Sequence, residues 1–282
     1  MNIFQQVVHL IKSGTSTGGY YDAMNNALKK ISGDYTMLHY PLHENDTDDF
    51  PRAQENLTRY CLSFIEPIKG KKVLEVGCGN GVQTKFIHEH YQPGAITGLD
   101  LNDGNIRIAN LEKERRKLHH VQFLVDNAQE MKNIPDNSFD AVVNIESAFH
   151  YPDKAAFLKE LKRVLVPGGV YLIADILTTR KKYEGRQAGW NNKMIFHHWT
   201  LDKYINGIEK AGLKLVKQED ITSGIIRGFR NYPYWLRNIN IPGFFRQLTF
   251  KLFYFINIRL NIYLLQTRRQ YYIFSGTKPL SS

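Results

Sequence analysis

The chain has 282 residues, 43% of them hydrophobic and 23% charged, with 37 Lys and Arg against 27 Asp and Glu. This is the composition of a soluble globular protein with one sizeable core and insertions, and it shows neither an internal repeat nor a low-complexity tract. Two cysteines, Cys61 and Cys78, exclude a disulfide framework and predict a reducing, cytoplasmic compartment, while no Cys/His cluster has metal-site spacing. The net charge of +10 favours an anionic partner, whether nucleic acid, an acidic membrane face or an acidic substrate; the alternative is a lysine-rich solvated surface.

Phe4–Lys12 and Tyr20–Ile31 read as short helices separated by a flexible Ser13–Gly19, with no signal-peptide pattern at the N-terminus. An acidic, irregular connector, Pro41–Phe50, leads to a helix over Arg52–Phe64. Val73 to Gly81 then reads V-L-E-V-G-C-G-N-G: a buried strand followed by glycines at every second position. Glycine permits a sharp turn and a close approach of backbone to ligand. A helix over Gln83–Tyr91 follows, so the loop is expected to aim free N–H groups at a nucleotide-like ligand above a parallel sheet. The third glycine, Gly81, comes one place earlier than a dinucleotide fingerprint requires; Val82 stands where that fingerprint has its last small residue.

The second strand, Ala95–Leu99, ends in Asp100, where an acid can hydrogen-bond both hydroxyls of a ribose. A helix over Asn105–Arg116 and a third strand, Val121–Val125, follow, the latter ending in Asp126 with Asn127 and Ala128 behind it. An acid ending a strand is also an ordinary cap or turn residue. Glycine loop, Asp100 and Asp126 arriving in order at three successive strand ends is less ordinary. Strands over Phe139–Ile145 and Val170–Ile176 flank a helix over Lys154–Leu165. A helix over Thr200–Lys210, a strand over Leu213–Lys217 and a last strand over Tyr271–Thr277 complete the order. The alternation predicts an α/β fold with a parallel sheet between two layers of helices.

The stretch from Asp220 to Arg269 is too long for a plain loop and is rich in aromatic and basic residues. Leu248, Leu252, Phe255, Ile256 and Arg259 fall at helical spacing, which suits either a helix packed on the core or a greasy lid. Lys251, Asn257, Arg259 and Asn261 interrupt Phe250–Leu265 and make it a poor membrane-spanning candidate.

Glu75, Gly77, Gly79 and Gly81 fall on motif I of the class I S-adenosylmethionine-dependent methyltransferases, which this run resembles. The resemblance implies a seven-stranded, mostly parallel, Rossmann-like sheet with helices on both faces, N-terminal helices, and a helical insertion before an antiparallel last strand. It implies an N-terminal helical cap over 1–68, a core over 69–220 and 268–282, and a substrate lid over 221–267. The implied cofactor is S-adenosylmethionine, held by Glu75, Gly77, Cys78, Gly79, Gly81, Asp100, Leu101, Asp126, Asn127, Ala128 and Asn144. In such proteins the acid after strand three binds the adenine amino group and the next backbone amide meets a ring nitrogen. Cys78 also reads simply as a small residue filling tight space.

Beyond strand four the chain reads Asn144-Ile145-Glu146-Ser147-Ala148-Phe149-His150-Tyr151-Pro152. It lacks the Asn/Asp-Pro-Pro-aromatic element of methyltransferases acting on adenine and glutamine, which argues against a nucleic-acid partner. Glu146 is a candidate for contact with cofactor or substrate. His150 has a pKa suited to accepting a hydroxyl proton, the alternative being a loop histidine bonded to backbone. His198 is the second candidate base, with a polar residue near a helix start as its alternative. Trp190, Trp199 and Tyr183 are candidates for the pocket wall.

This segment is similar to that of sterol, tocopherol and natural-product methyltransferases. Thr97–Asn102, Asn144–Glu146, Tyr151-Pro152, Arg163–Leu165, Pro167–Gly169 and Ala174-Asp175 carry a broader likeness to the phthiotriol and phenolphthiotriol dimycocerosate methyltransferases, whose loop histidine falls at Phe149 here. That likeness implies O-methylation of a hydroxyl on a hydrophobic, lipid- or polyketide-like molecule, with peripheral membrane contact through 227–259. Methylation of carbon or nitrogen on a small secondary metabolite remains open, as does the oligomeric state.

Overall fold

The computed structural model describes residues 17–45, 47–188, 195–238 and 244–280. The N-terminal part has α1 (Thr17–Ser32) and α2 (Phe50–Leu62). The alternating part runs β1 (Lys72–Val76), α3 (Val82–Tyr91), β2 (Ala95–Asp100), α4 (Asp103–Arg116), β3 (Val121–Val125), β4 (Phe139–Ile145), α5 (Lys154–Val164) and β5 (Leu165–Thr178). Then come β6 (Gly185–Ala188), β7 (Ile195–His198), α6 (Leu201–Lys210), β8 (Lys214–Asp220), α7 (Thr222–Asn238), α8 (Phe244–Thr267) and β9 (Arg269–Thr277).

Seven strands form one sheet in the order β3-β2-β1-β4-β5-β9-β8. All neighbours are parallel except β9, which runs antiparallel to both β5 and β8. This is the expected α/β architecture, Rossmann-like and mostly parallel. Strand order reverses between β1 and β4, so a crevice opens at their C-terminal ends. Val73, Leu74 and Val76 of β1 and Val142 and Val143 of β4 are buried, as strands covered on both faces require.

Several boundaries differ from the sequence reading. Thr17–Gly19 belong to the first turn of α1, and Phe4–Lys12 lies outside the described residues. β5 starts at Leu165 and runs through Pro167-Gly168-Gly169, because Leu165 already pairs with Phe139 across a register shift. The hairpin β6–β7 was not anticipated; with only four residues per strand it leaves little periodicity to read. The stretch before β9 is a helical pair, α7 and α8. Ile225 of α7 and Ile258 and Leu265 of α8 share a core with Leu57 and Cys61 of α2 and Val143 of β4.

α1 is fastened to the glycine loop and to α4 by amides. Asn80 Nδ2 donates to Asn25 Oδ1 at 2.8 Å, and Asn25 Nδ2 donates to Asn105 Oδ1 at 2.8 Å. Asp49 caps α2 by accepting from Arg52 N at 2.8 Å, and Asn102 caps α4 by accepting from Gly104 N at 2.8 Å.

A fully buried ion pair holds the loop after β4. Lys154 Nζ lies 3.3 Å from Asp175 Oδ2 and also donates to the Ala148 carbonyl. Asp175 accepts from Tyr204 Oη at 2.9 Å and from Ile176 N at 2.8 Å. Burial pushes each partner toward its neutral form, and their attraction opposes it. Lys154→Met is expected to cost about 3–5 kcal/mol in denaturant unfolding, because it strands a buried carboxylate. Adding Asp175→Asn should recover most of that loss; no recovery would refute the pair's role.

Candidate active site

Gly77 has φ 76°, and a Cβ there would lie 2.2 Å from Ser147 Oγ, so only glycine lets the loop pass under the chain leaving β4. A Cβ on Gly81 (φ 79°) would meet Ala109 Cβ and a Phe123 ring carbon at 2.8 Å, so this glycine serves the packing of α4 and β3 behind the loop. Cys78 fills tight space, as its simpler reading proposed: a Cβ on Gly98 would stand 2.9 Å from its Sγ.

The loop does not offer the free amides expected of it. Gly77 N and Cys78 N both donate to the Leu99 carbonyl, at 2.7 and 3.0 Å, and Gly79 N donates to Asp100 Oδ2 at 2.9 Å. These donors are spent inside the protein and cannot cradle a pyrophosphate. Above the loop is a cavity of about 630 Å³ whose wall includes Asp100, Asp103 and Asp126. Among the described residues of that wall there is no Lys or Arg, although the chain is strongly basic. Such a cavity suits a ligand that is cationic or neutral where a dinucleotide is anionic.

Asp100 is the pivot of the wall. Its Oδ1 accepts from Asn102 N at 2.8 Å while its Oδ2 holds Gly79 N. Burial raises its pKa, and these hydrogen bonds pull the other way. Asp126 accepts from Asn127 N at 2.7 Å and from Asn133 N at 2.9 Å. The Asn127 amide, offered by the sequence reading to a ring nitrogen, is therefore turned to its own neighbour's carboxylate. Gly77, Cys78, Gly79, Leu101, Asp126, Asn127 and Ala128 all reach the cavity, with Leu101 on its exposed rim.

Glu75, Gly81 and Asn144 are not in the wall. Glu75 is buried beneath the loop, and desolvation lifts its pKa to about 8. Asn144 works from below, donating to the Val76 carbonyl at 2.9 Å and to Ser147 Oγ at 2.6 Å. Sequence reasoning missed the part of the wall built by Gly18 and Tyr21 of α1 and by Met37–His39. Long-range bonds such as those among Asn25, Asn80 and Asn105, from Asn102 to the Gly18 carbonyl and from Gln54 to the Met37 carbonyl bring those segments over the loop, and no local pattern announces them.

A second cavity, of about 470 Å³, lies beside the first. Its wall is largely apolar and aromatic, with Phe149, Ile176, Phe196 and Phe229 and, from α8, Tyr254, Ile258 and Leu264. Tyr21, Met37, Leu38, His39 and Glu146 belong to both walls. Tyr183 lines the second cavity; Trp199 instead packs in the core against Tyr204, and Trp190 lies outside the described residues.

Glu146 stands at the junction with φ 52°, a conformation costly for a residue with a Cβ. Its amide donates to the Ala174 carbonyl at 2.8 Å, and its Oε1 accepts from Tyr40 N at 2.8 Å. Burial raises its carboxyl to a pKa of about 8. His150 lines only the first cavity, and both its nitrogens are engaged. Nδ1 donates to the Ile195 carbonyl at 3.3 Å, so Nε2 accepts from Tyr21 Oη at 2.8 Å. Burial pushes its pKa down to about 4. His198 lines only the second cavity; Nδ1 donates to the Ile176 carbonyl at 2.8 Å, leaving Nε2 as a bare, buried acceptor with a pKa of about 3.

Residues 74–173 match a methyltransferase domain family. The chain is 31% identical over 211 residues to a phthiotriol/phenolphthiotriol dimycocerosates methyltransferase of Mycobacterium tuberculosis, covering 73% of this chain and 68% of that one. This chain belongs to the class I S-adenosylmethionine-dependent methyltransferases. A fatty-acid O-methyltransferase of Mycolicibacterium smegmatis is 30% identical over 202 residues, which cover 69% of this chain but less than two thirds, 65%, of the relative. The crystal structure of the cyclase SpnF superposes with a TM-score of 0.77 over 94% of this chain and 96% of the other at 21% identity, a likeness of fold alone.

S-adenosylmethionine, with a cationic sulfur and an ammonium group, fits a cavity whose wall carries carboxylates and, among the described residues, no Lys or Arg. Asp100 would hold its ribose and Asp126 its adenine. Asp100→Ala frees Gly79 N and Asn102 N as well as removing the carboxylate. It is expected to weaken S-adenosylmethionine binding in calorimetry by at least about tenfold; unchanged affinity would remove Asp100 from the site.

Proposed function

We propose that this methyltransferase places a methyl group on an oxygen of a hydrophobic, lipid-like acceptor bound in the second cavity. The observation that carries the reading is the junction: an apolar cavity meets the cofactor cavity at Glu146 and Tyr21. Both curated relatives named above are methyltransferases of lipid-like molecules, which supports an acceptor of that class.

S-adenosylmethionine supplies a methyl group on a cationic sulfur. The residues around the junction orient the acceptor and remove its proton. The apolar wall excludes water and holds the chain of the acceptor. Glu146 is the proposed base: ionised, it takes the hydroxyl proton. Burial keeps the His150 imidazole neutral, and its Nε2 accepts from Tyr21, so His150 positions Tyr21 at the junction. A base acts only when unprotonated, so kcat/KM should rise with pH and level off above about 8, where Glu146 ionises. Glu146→Gln should lose at least about 100-fold in kcat/KM and its pH dependence, with cofactor affinity retained. Mass spectrometry and NMR of the product formed from hexadecanol, or from a host lipid extract with labelled cofactor, should locate the methyl on oxygen. A methyl on carbon or nitrogen would overturn the reading.

A second part of the proposal concerns the membrane. Residues 221–282 hold nine of the 37 Lys and Arg and none of the 27 Asp and Glu, so nine of the ten net positive charges lie there. On α8, Leu248, Leu252, Phe255, Ile256 and Tyr263 are 50–57% exposed and share one face with Arg259. The opposite face carries Tyr254, Ile258 and Asn261 into the second cavity. Among the described residues no helix is long and apolar enough to cross a membrane. An apolar stripe set among cations suits an interfacial helix on an anionic bilayer. The protein should therefore float with phosphatidylcholine vesicles containing phosphatidylglycerol, and Phe255→Glu/Ile256→Glu should not. Flotation of both proteins, of neither, or a dimer dissolved by the same substitutions would reject bilayer docking.

A further inference from the structure

The second cavity carries a positive charge that its wall does not answer. Arg269, the first residue of β9, is half-buried there, with its guanidinium 5.6 Å from the Phe196 ring centroid. It also lies close enough to the Tyr40 side chain to influence that hydroxyl. Arg268 stands at the more exposed edge, 5.2 Å from the Tyr183 ring. Among the described residues neither arginine forms an ion pair, although surface arginines such as Arg115, Arg116 and Arg163 do. The one carboxyl in the wall is Glu146, which burial holds protonated around neutral pH.

An independent observation points to the same ligand chemistry. Gln187 Nε2, on the β6–β7 hairpin, lies buried in this wall without a hydrogen-bond partner. A buried donor left unpaired costs about 1–3 kcal/mol, and a guanidinium in an apolar cavity seeks an oxyanion. The remaining groups nearby do not supply one: His198 presents a neutral nitrogen, and the Tyr40 hydroxyl, which donates to Asn261 Oδ1 at 2.8 Å, is kept neutral by burial.

We propose that Arg269 and Gln187 form a head-group site for an oxyanion, a carboxylate or a phosphate monoester, at the end of a long-chain ligand whose apolar part fills the second cavity. Tyr40 sets the layout. Its backbone N–H bonds Glu146 at the methyl-transfer junction, and its side chain meets Arg269. The oxyanion is thus held one tyrosine side chain away from the junction. The substrate class becomes an anionic amphiphile that carries its methylated oxygen a short way from the charged head. This rests on the reading of the second cavity as the acceptor site.

The test is calorimetry on the full chain saturated with S-adenosylhomocysteine, titrated with hexadecanol, palmitate or hexadecyl phosphate below micelle-forming concentrations. Wild type should bind at least one of the two anions about tenfold or more tighter than hexadecanol, and the tighter anion identifies the head group. Arg269→Gln should abolish that preference while leaving hexadecanol affinity within about twofold, and Arg269→Lys should keep part of it. Equal affinity of wild type for all three ligands would overturn the head-group site while the acceptor reading stands. Failure of all three to bind would sink both. The wild-type comparison needs no variant, so the proposal stays open to refutation even if Arg269→Gln does not fold.

Discussion

The architecture of the site depends on one carboxylate. Asp100 ends β2 and accepts, on separate oxygens, the amides of Gly79 in the loop after β1 and of Asn102 before α4. Two loops that leave adjacent strands are thereby drawn together over the same crevice. Asn102 then caps α4, and Asn105 on that helix reaches through Asn25 to Asn80 of the glycine loop. This closed circuit seats α1 as a wall of the cavity. Each of these polar groups is partly or fully buried, where an unmade bond is expensive, so the circuit holds as a unit.

Charge is sorted along the chain and between the walls of the two cavities. The cofactor cavity has carboxylates and, among its described residues, no cations. The basic residues outnumber the acidic ones chiefly after position 220, in the part of the chain that includes α7, α8 and β9 beside the second cavity. A sulfonium cofactor and an anionic amphiphile would each find a complementary field, with the boundary at Glu146. Burial keeps that residue neutral through most of the physiological range, so it divides two fields without adding strongly to either.

Glu146 also shows why the loop after β4 is built as it is. A positive φ on a residue with a Cβ is sustained only where surroundings over-determine it. Here the Ala174 carbonyl, the Tyr40 amide, and the buried Lys154 that grips the Ala148 carbonyl do so. The same turn brings Ser147 against Gly77, which explains why a glycine begins the loop after β1. His150 emerges from this arrangement as a partner of Tyr21, its lone pair already in use.

Much of the cofactor half was legible in the sequence, because its information is local. A strand, a glycine turn and an acid at the next strand's end lie within a few residues of one another, and strand periodicity places them at one edge of a sheet. That logic placed Gly77, Gly79, Asp100 and Asp126 on the cavity. It misplaced Glu75, Gly81 and Asn144, since it cannot tell a residue that faces a ligand from one that supports the residue that does. It also left the loop amides free, because the Leu99 carbonyl that consumes two of them becomes their neighbour only when β1 and β2 pair. The acceptor half depended on tertiary structure throughout. Tyr21, Tyr40, Glu146, Gln187, His198, Ile258 and Arg269 meet across almost the whole chain, and no spacing rule links them. Sequence by itself determined the fold, the cofactor family and the acids at the strand ends. Only the packing of α1, the β6–β7 hairpin and α8 against the sheet decided where the second cavity lies, that Glu146 sits where it meets the first, and that Arg269 lines its wall.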